Sequence, residues 1–356
     1  MKNTSTDVLI IGAGISGLTI GYYLQKRNIS FKIIEARQRI GGRVYTKRDD
    51  NIASIELGAT WITQKHYELL NFLKELKIEL FEQQIGDEAV YEPTSISPAQ
   101  VVPLPPNNSP SYRIAGGTDQ LIKILATNIN NEENIRTNQA VISISEEKDH
   151  INVLTRSENF RAKQVISTVP PHLFTNSIRF SPSLPSALLS ITNNTHTWMG
   201  ESIKIGLTYK KPFWKKKGTS GTIFSSVGPI PEMYDHSNKE ETLFALKGFF
   251  NGDYHAISKK ERLEMALNQL RKYYGDVVND YSSYEEMVWK NEKFTSDEYD
   301  DLVYPHQNNG NKVFQQPYFN GKLFLSGSET SSQYAGYMEG AIQSAQWIAN
   351  RIINER

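Results

Sequence analysis

The stretch Val8-Leu9-Ile10-Ile11-Gly12-Ala13-Gly14-Ile15-Ser16-Gly17 decides the fold. Four apolar residues in a row suit a strand buried on both faces of a parallel sheet. The glycines follow at once, and Leu18 to Arg27 continues as a helix. Phe31-Lys32-Ile33-Ile34 then reads as a second strand ending in Glu35. Strand, glycine turn, helix, strand and acid in this order form the βαβ pattern that binds a dinucleotide. Gly12 permits the tight turn, Gly14 lets backbone approach a pyrophosphate, and Gly17 lets helix and strand pack closely. Ala13, Ile15 and Ser16 complete the turn, whose helix N-terminus offers free N–H groups to phosphate. Glu35 can accept hydrogen bonds from a ribose diol.

Working outward, Ile40-Gly41-Gly42-Arg43 brings a second glycine pair toward the same phosphates, with Arg43 to neutralise them. His66 to Leu76 is helical by pattern, with Leu69, Leu70, Leu73 and Leu76 on its apolar face. Between Gly86 and Ser111, Pro93, Pro98, Pro103, Pro105, Pro106 and Pro110 exclude long helices, which predicts a linker or an irregular wall. Thr118 is placed to cap a helix carrying Leu121, Ile122, Leu125 and Ile129. Ala140–Ile144, Ile151–Leu154 and Arg161–Thr168 read as strands, and Lys260 to Tyr274 as a helix. In Ile203–Tyr209 the alternation puts Ile203, Ile205, Leu207 and Tyr209 on one face and Lys204, Gly206 and Thr208 on the other. Thr242–Phe250 is a further strand, whose Phe249 either lines a cavity or packs in the core. Gly321–Thr330 is a strand running into a polar turn, followed by a helix from Gly336-Tyr337-Met338 whose buried face carries Ala341, Ala345, Ile348 and Ile352.

Among 356 residues, 39 basic side chains balance 39 acidic ones, which argues against a nucleic-acid or membrane-surface partner recruited by bulk charge. The chain has no cysteine, so disulfides, thiolate metal sites and a cysteinyl cofactor link are all excluded. No apolar run reaches the ~20 residues of a membrane span. Polar Met1 to Thr6 ahead of a folded strand predicts no secretory leader, and a cytoplasmic location is expected. The histidines are scattered beside predicted turns and form no triad or metal set.

Glu35-Ala36-Arg37, Gly41-Gly42-Arg43 and Glu56-Leu57-Gly58-Ala59-Thr60-Trp61 resemble the N-terminal signature of the flavin-dependent amine oxidase family. That family includes monoamine and polyamine oxidases and some L-amino-acid oxidases. The likeness continues through Val141, Val169-Pro170-Pro171, Lys204, Lys211-Pro212-Phe213-Trp214, Trp289, Tyr299 and Gly327-Ser328-Glu329 to Tyr337-Met338-Glu339-Gly340-Ala341. It implies an α/β fold in which a Rossmann-like FAD-binding domain is interleaved with a smaller, mixed α+β substrate domain. Segments 1–77, 113–178 and 292–356 would form the first domain, and 78–112 and 179–291 the second.

The resemblance also implies roles. Gly58, Ala59, Thr60 and Trp61 would run along the flavin ring, and a backbone group of Val141 would touch the adenine side. Lys204 would hold a water beside flavin N5, Trp289 would stand at the flavin edge, and Glu329 would bind a ribityl hydroxyl or a backbone amide. Met338 would open a helix whose dipole favours negative charge on the reduced ring. Tyr299 and Tyr337 would be parallel walls for the substrate amine, in the substrate cavity that Phe249 is also a candidate to line. Glu298 falls where covalent members carry a cysteine, so FAD would be non-covalent. The implied reaction oxidises an amine C–N bond to an imine, passes a hydride to N5, and returns the electrons to O2 as H2O2. An L-amino-acid oxidase, clamping a carboxylate through Arg113 or Arg179, a desaturase and a non-enzymatic flavoprotein are the alternatives. The chain is short for the family, with only Ile78 to Tyr112 where larger members carry a long helical insertion. A bulky amine, a homodimer whose second subunit supplies the lid, or loss of amine oxidase activity on a retained flavin fold would follow.

Overall fold

The computed structural model describes residues 2–49, 51–215 and 219–355. Met1 and Arg356, the outer limits of the expected cofactor-binding segments, lie outside the described residues. The strand Lys2–Ile11 is the axis of an eight-stranded sheet. It pairs in parallel with Phe31–Ile34 on one side and Glu158–Ser167 on the other. Val8 to Ile11 are buried, as a strand covered on both faces requires. The polar Lys2–Thr6 stretch is itself part of the strand, in register with Glu158 to Ala162. Ile135–Arg136 extends the sheet beyond Phe31–Ile34, and Ile151–Thr155, Val141–Glu146 and Arg179–Ser181 extend it the other way. Leu323–Leu325 joins Glu158–Ser167 in parallel, bringing the chain's end beside its beginning.

Helices Ile15–Lys26, Tyr67–Glu75, Asp119–Asn128 and Met338–Asn354 cover one face of this sheet. Leu18, Leu69, Leu121, Ile342 and Ile348 meet there. Each such side chain contributes about 1.5–3 kcal/mol on burial. Helix Tyr67–Glu75 buries Leu69, Phe72 and Leu73, while Leu70 and Leu76 are only half-buried. Thr118 does sit at a helix N-terminus, but its hydroxyl does not cap that helix. It donates to the Glu56 carboxylate at 2.6 Å.

A second, seven-stranded sheet runs in the order Tyr281–Val288, Ile203–Tyr209, Phe244–Phe250, Glu232–Asp235, Ile223–Ser225, Glu88–Glu92, Gln100–Pro103. The proline-rich stretch is therefore not an irregular wall. Its prolines bound an edge hairpin, and Glu88–Glu92 pairs in parallel with Ile223–Ser225. An edge strand tolerates proline because only one side of its backbone needs donors. Helix Lys259–Tyr274, started by a Ser258–Glu261 capping box, packs Ala266, Leu270 and Tyr274 on the outer face against Ile203, Ile205 and Leu207. On the inner face the cross-strand register aligns Lys204 with Phe249 and Phe249 with Glu232. The next row aligns Gly206, Lys247 and Tyr234. Every residue of Ile203–Tyr209 is buried, so the polar face of this strand looks into the molecule and not into solvent.

Candidate active site

A cavity of about 1490 Å³ opens between the two sheets. This exceeds the ~300–1,000 Å³ of a pocket for one drug-sized ligand, as a dinucleotide plus a substrate would need. Gly12, Gly14, Ile15, Ser16, Glu35, Ala36, Arg37, Gly42, Arg43, Gly58, Ala59, Thr60, Trp61 and Val141 line it from the first half of the chain. Lys204, Phe249, Trp289, Gly327, Ser328, Tyr337, Met338 and Ala341 line it from the second.

The glycine cradle is backbone packed on backbone. Gly12 has φ +105°, in the region that favours glycine. A Cβ on Gly42 would come within 3.2 Å of the Gly14 Cα, and one on Gly58 would run into the Arg43 carbonyl. No side chain caps the N-terminus of Ile15–Lys26 or of Met338–Asn354. The two meet where the Ser16 hydroxyl donates to the Ala341 carbonyl at 2.9 Å. Uncapped helix N-termini and a cradle without side chains fit a pyrophosphate and a flat heterocycle. Ala13 and Gly17 do not line the cavity: Gly17 lies against the Gly12 carbonyl and closes the helix onto the strand.

Glu35 is buried, and its two carboxylate oxygens accept from the Ala13 and Arg37 N–H groups, each at 2.9 Å. The Arg37 side chain binds Glu292 at 3.1 Å and the Thr295 hydroxyl at 2.6 Å. Arg43 clasps Glu329 through two bonds of 2.5 and 2.8 Å and reaches the Ser328 hydroxyl at 2.9 Å. Burial would raise the Glu329 carboxyl, but the Arg43 charge and hydrogen bonds outweigh it and hold it below the usual carboxylate range. Glu329 thus corrects the expectation of a ribityl contact. It is absent from the cavity lining, because both its oxygens are committed to Arg43 and Ser328.

The opposite wall is built differently. The Lys204 amine donates to the Gly58 carbonyl at 2.6 Å and lies 5.0 Å from the centre of the Phe249 ring. Burial, only partly offset by the charges of Glu56 and Glu232, lowers its pKa to about 8. Trp289 donates its indole N–H to the Leu57 carbonyl at 2.8 Å, fixing the same strip of backbone from the far side.

The expected pair of tyrosine walls is not present. Tyr337 lines the cavity, but Tyr299 does not. The Tyr299 ring packs on His172 with centres 4.2 Å apart, and its hydroxyl accepts from the Thr197 N–H at 2.8 Å. Trp198, on the chain next to Thr197, lines the cavity instead, with its ring centre 5.7 Å from that of Tyr337. His306 stacks on Trp198 at 4.0 Å and lies nearly parallel to Tyr337 at 5.9 Å. Sequence reasoning gave the histidines no place here, yet His66 also lines the cavity. Glu232, Tyr334 and Met199 were missed as well. For Glu232 and Trp198 the sequence offers no motif; only strand register and long-range packing bring them in. Arg113 and Arg179 do not line the cavity. Arg113 is buried against His236 at 3.0 Å and the Ser237 carbonyl at 2.6 Å.

A sequence model of the flavin-containing amine oxidoreductases matches residues 15–111 and 99–353. The chain belongs to this family. Amine oxidase [flavin-containing] B of Mus musculus is 26% identical over 462 aligned residues, covering 99% of this chain and 87% of that protein. Amine oxidase [flavin-containing] A of Equus caballus is 24% identical over 454, covering 98% and 85%. Since this flavin amine oxidoreductase has 356 residues, an alignment that long leaves about a hundred positions of the relative without a counterpart. In fold it resembles putrescine oxidase bound to putrescine, with a TM-score of 0.84, 22% identity, and 99% and 100% of the two chains covered. Cyclohexylamine oxidase from Brevibacterium oxydans IH-35A is equally similar, with a TM-score of 0.85, 21% identity, and 98% and 99% covered. Among the described residues, no helix is long and apolar enough to cross a membrane, and no His/Cys/Asp/Glu group could hold a metal ion.

Proposed function

We propose that this chain oxidises an amine at the wall formed by Lys204, Phe249, Trp198 and Tyr337, with FAD held non-covalently along the Gly12–Trp61 side of the cavity. The observation that carries this reading is the buried Lys204 amine, bonded to the very carbonyl, Gly58, whose strip lines the cavity. When bound, FAD supplies the two-electron acceptor for the C–N bond and passes the electrons on to O2. The protein's part is to bind, orient and handle protons. Gly12, Gly14 and the uncapped helix ends receive the pyrophosphate; Glu35 presents a fixed carboxylate for the ribose. Arg43 keeps positive charge at the cavity, with Glu329 and Ser328 setting its direction.

On the substrate side, aromatic faces draw a cationic amine by ~0.5–2 kcal/mol and aim its carbon. Trp198 and Tyr337 supply those faces, with His306 behind them. The amine must be neutral to react, and Lys204, half-protonated near pH 8, is the group that exchanges a proton there. The segments 1–77, 113–178 and 292–356 would then serve the cofactor, and 78–112 and 179–291 the amine. With Arg113 and Arg179 out of the lining, and Arg37 and Arg43 within it already paired to Glu292 and Glu329, simple amines fit better than α-amino acids. About a hundred positions absent relative to the curated relatives suit a bulky amine or a wall completed by a second copy.

The test is a visible spectrum of the purified, FAD-reconstituted protein, followed by an amine panel with peroxide detection. The reading expects a flavin band and peroxide with at least one amine. A protein that takes up no FAD, or that makes peroxide with α-amino acids only, contradicts it.

A further inference from the structure

Lys247 is completely buried, and it has no part in the reaction as derived so far. It stands opposite Gly206, one row from Lys204 on the same inner face of the second sheet. Its amine donates to the Thr60 hydroxyl and lies 4.4 Å from the centre of the Trp61 ring. The Thr60 hydroxyl in turn donates to the Gly58 carbonyl at 3.0 Å, the same oxygen that Lys204 binds at 2.6 Å. Two lysines from adjacent strands therefore hold one four-residue strip, each with its amine over the face of an aromatic ring.

Among the described residues neither amine makes a salt bridge, while the charges around them are engaged elsewhere. Glu56 accepts from the N–H and the hydroxyl of Thr118. Glu232 accepts from the Tyr234 hydroxyl at 2.8 Å. Asp235 accepts from the Trp214 indole at 2.8 Å and the Ser237 N–H at 2.7 Å. Arg113, on the strand Ser111–Ile114, adds positive charge, with His236 against it. Burying two neighbouring ammonium groups without an ion pair costs more than giving up a proton.

We propose that Lys247 is a positioning residue acting through Lys204: the two amines together pin the Gly58–Trp61 strip and hold one proton between them, not two. Burial, followed by the Lys204 charge, pushes the Lys247 amine well below the ordinary lysine range, in keeping with such sharing. The pair titrates as a unit, so the proton affinity of each amine depends on the presence of the other. This rests on Lys204 being the proton-exchanging group of the proposed reaction, but it is testable without any turnover.

The experiment is a pH titration of ¹³Cε-lysine signals in the flavin-free protein, with Lys204→Met and Lys247→Met to assign them. In the parent chain the two midpoints should be at least about one pH unit apart, the lower one below pH 8. In either variant, the surviving lysine should titrate above that lower midpoint. Coincident midpoints near the ordinary lysine value, or survivors unchanged in both variants, overturn the proposal. Lys247→Met should melt no lower than the parent chain, because it replaces a buried amine with an apolar side chain of similar length. Should a variant not fold, the separation of the two parent midpoints decides alone. Lack of amine oxidation with two separated midpoints would sink the proposed reaction and leave this inference standing.

Discussion

The sheet around Lys2–Ile11 and the sheet around Ile203–Tyr209 face one cavity, but on their cavity-facing sides they treat buried charge in opposite ways. On the first side Glu35, Arg37 and Arg43 are each answered. Glu35 sits on two N–H groups, Arg37 on Glu292, and Arg43 on Glu329. On the second side the partners of Lys204 and Lys247 among the described residues are neutral, a carbonyl and a hydroxyl. Fixed charges keep their protons across the working pH range and suit the holding of a cofactor. Amines without counter-ions give up protons near neutrality and suit chemistry on a substrate that must itself be deprotonated. The proposed reaction draws on this contrast, with binding on one wall and proton handling on the other.

The strongest way to break this contrast is Glu329→Ala. It leaves the Arg43 guanidinium facing the cavity without its carboxylate. We expect a loss of about 3 kcal/mol in stability, at the low end for a broken buried pair because Arg43 is partly open to the cavity. FAD retention should fall with it; urea unfolding and the ratio of flavin to protein absorbance measure both. An unchanged midpoint would mean that the first wall is not held by this pair.

Lys204→Met should leave FAD bound while slowing amine-driven flavin reduction by ~100-fold or more, as the loss of a proton-handling group does. The same variant sharpens the electrostatic claim. A lysine whose folded pKa is about 8 and whose ordinary value is about 10.5 makes the native state bind fewer protons than the unfolded chain between those two pH values. Stability from this site therefore rises with pH across that window, by at most about 3 kcal/mol, is complete above it, and is lost as pH falls toward 8. Chemical denaturation at pH 7.5 and 9.5 should show the rise in the parent chain and a flatter response in Lys204→Met. Equal slopes would place the Lys204 amine in a wetter setting than the structure shows.

The smallest effects separate Trp198 from Tyr299. Trp198→Ala should raise KM for a cationic amine roughly 2- to 30-fold, the range of one cation–π face. Tyr299→Phe should leave KM alone and lower stability by about 1 kcal/mol, the worth of its bond from the Thr197 N–H. The reverse ranking would restore Tyr299 as the cage wall.

The first side of the molecule was largely legible in the sequence, and the second only in part. Gly12, Gly14 and Gly42 announce themselves because a backbone cradle demands glycine, whereas Lys204 stood out only because its strand and the following Lys211-Pro212-Phe213-Trp214 resemble the family's pattern. Nothing local marks Lys247. In Leu246-Lys247-Gly248 it reads as an ordinary strand lysine, and its burial depends on Thr60 and Trp61, nearly two hundred residues away. Tyr299 was placed by spacing from Trp289, but where its ring goes is set by the Thr197 N–H and by His172, contacts that spacing does not encode. The prolines between Gly86 and Ser111 correctly ruled out helix, yet edge strands accept proline, so they did not rule out a hairpin.

Single-turnover mixing of the FAD-loaded protein with an amine under anaerobic conditions, followed at the flavin band across pH 6.5–9.5, decides whether Lys204 handles the proton. The account predicts bleaching whose rate rises with pH through a midpoint near 8, and that Lys204→Met slows the bleaching and removes that midpoint. Bleaching at the same rate and with the same midpoint in the variant would contradict it, as would a flavin that dithionite reduces but no amine does.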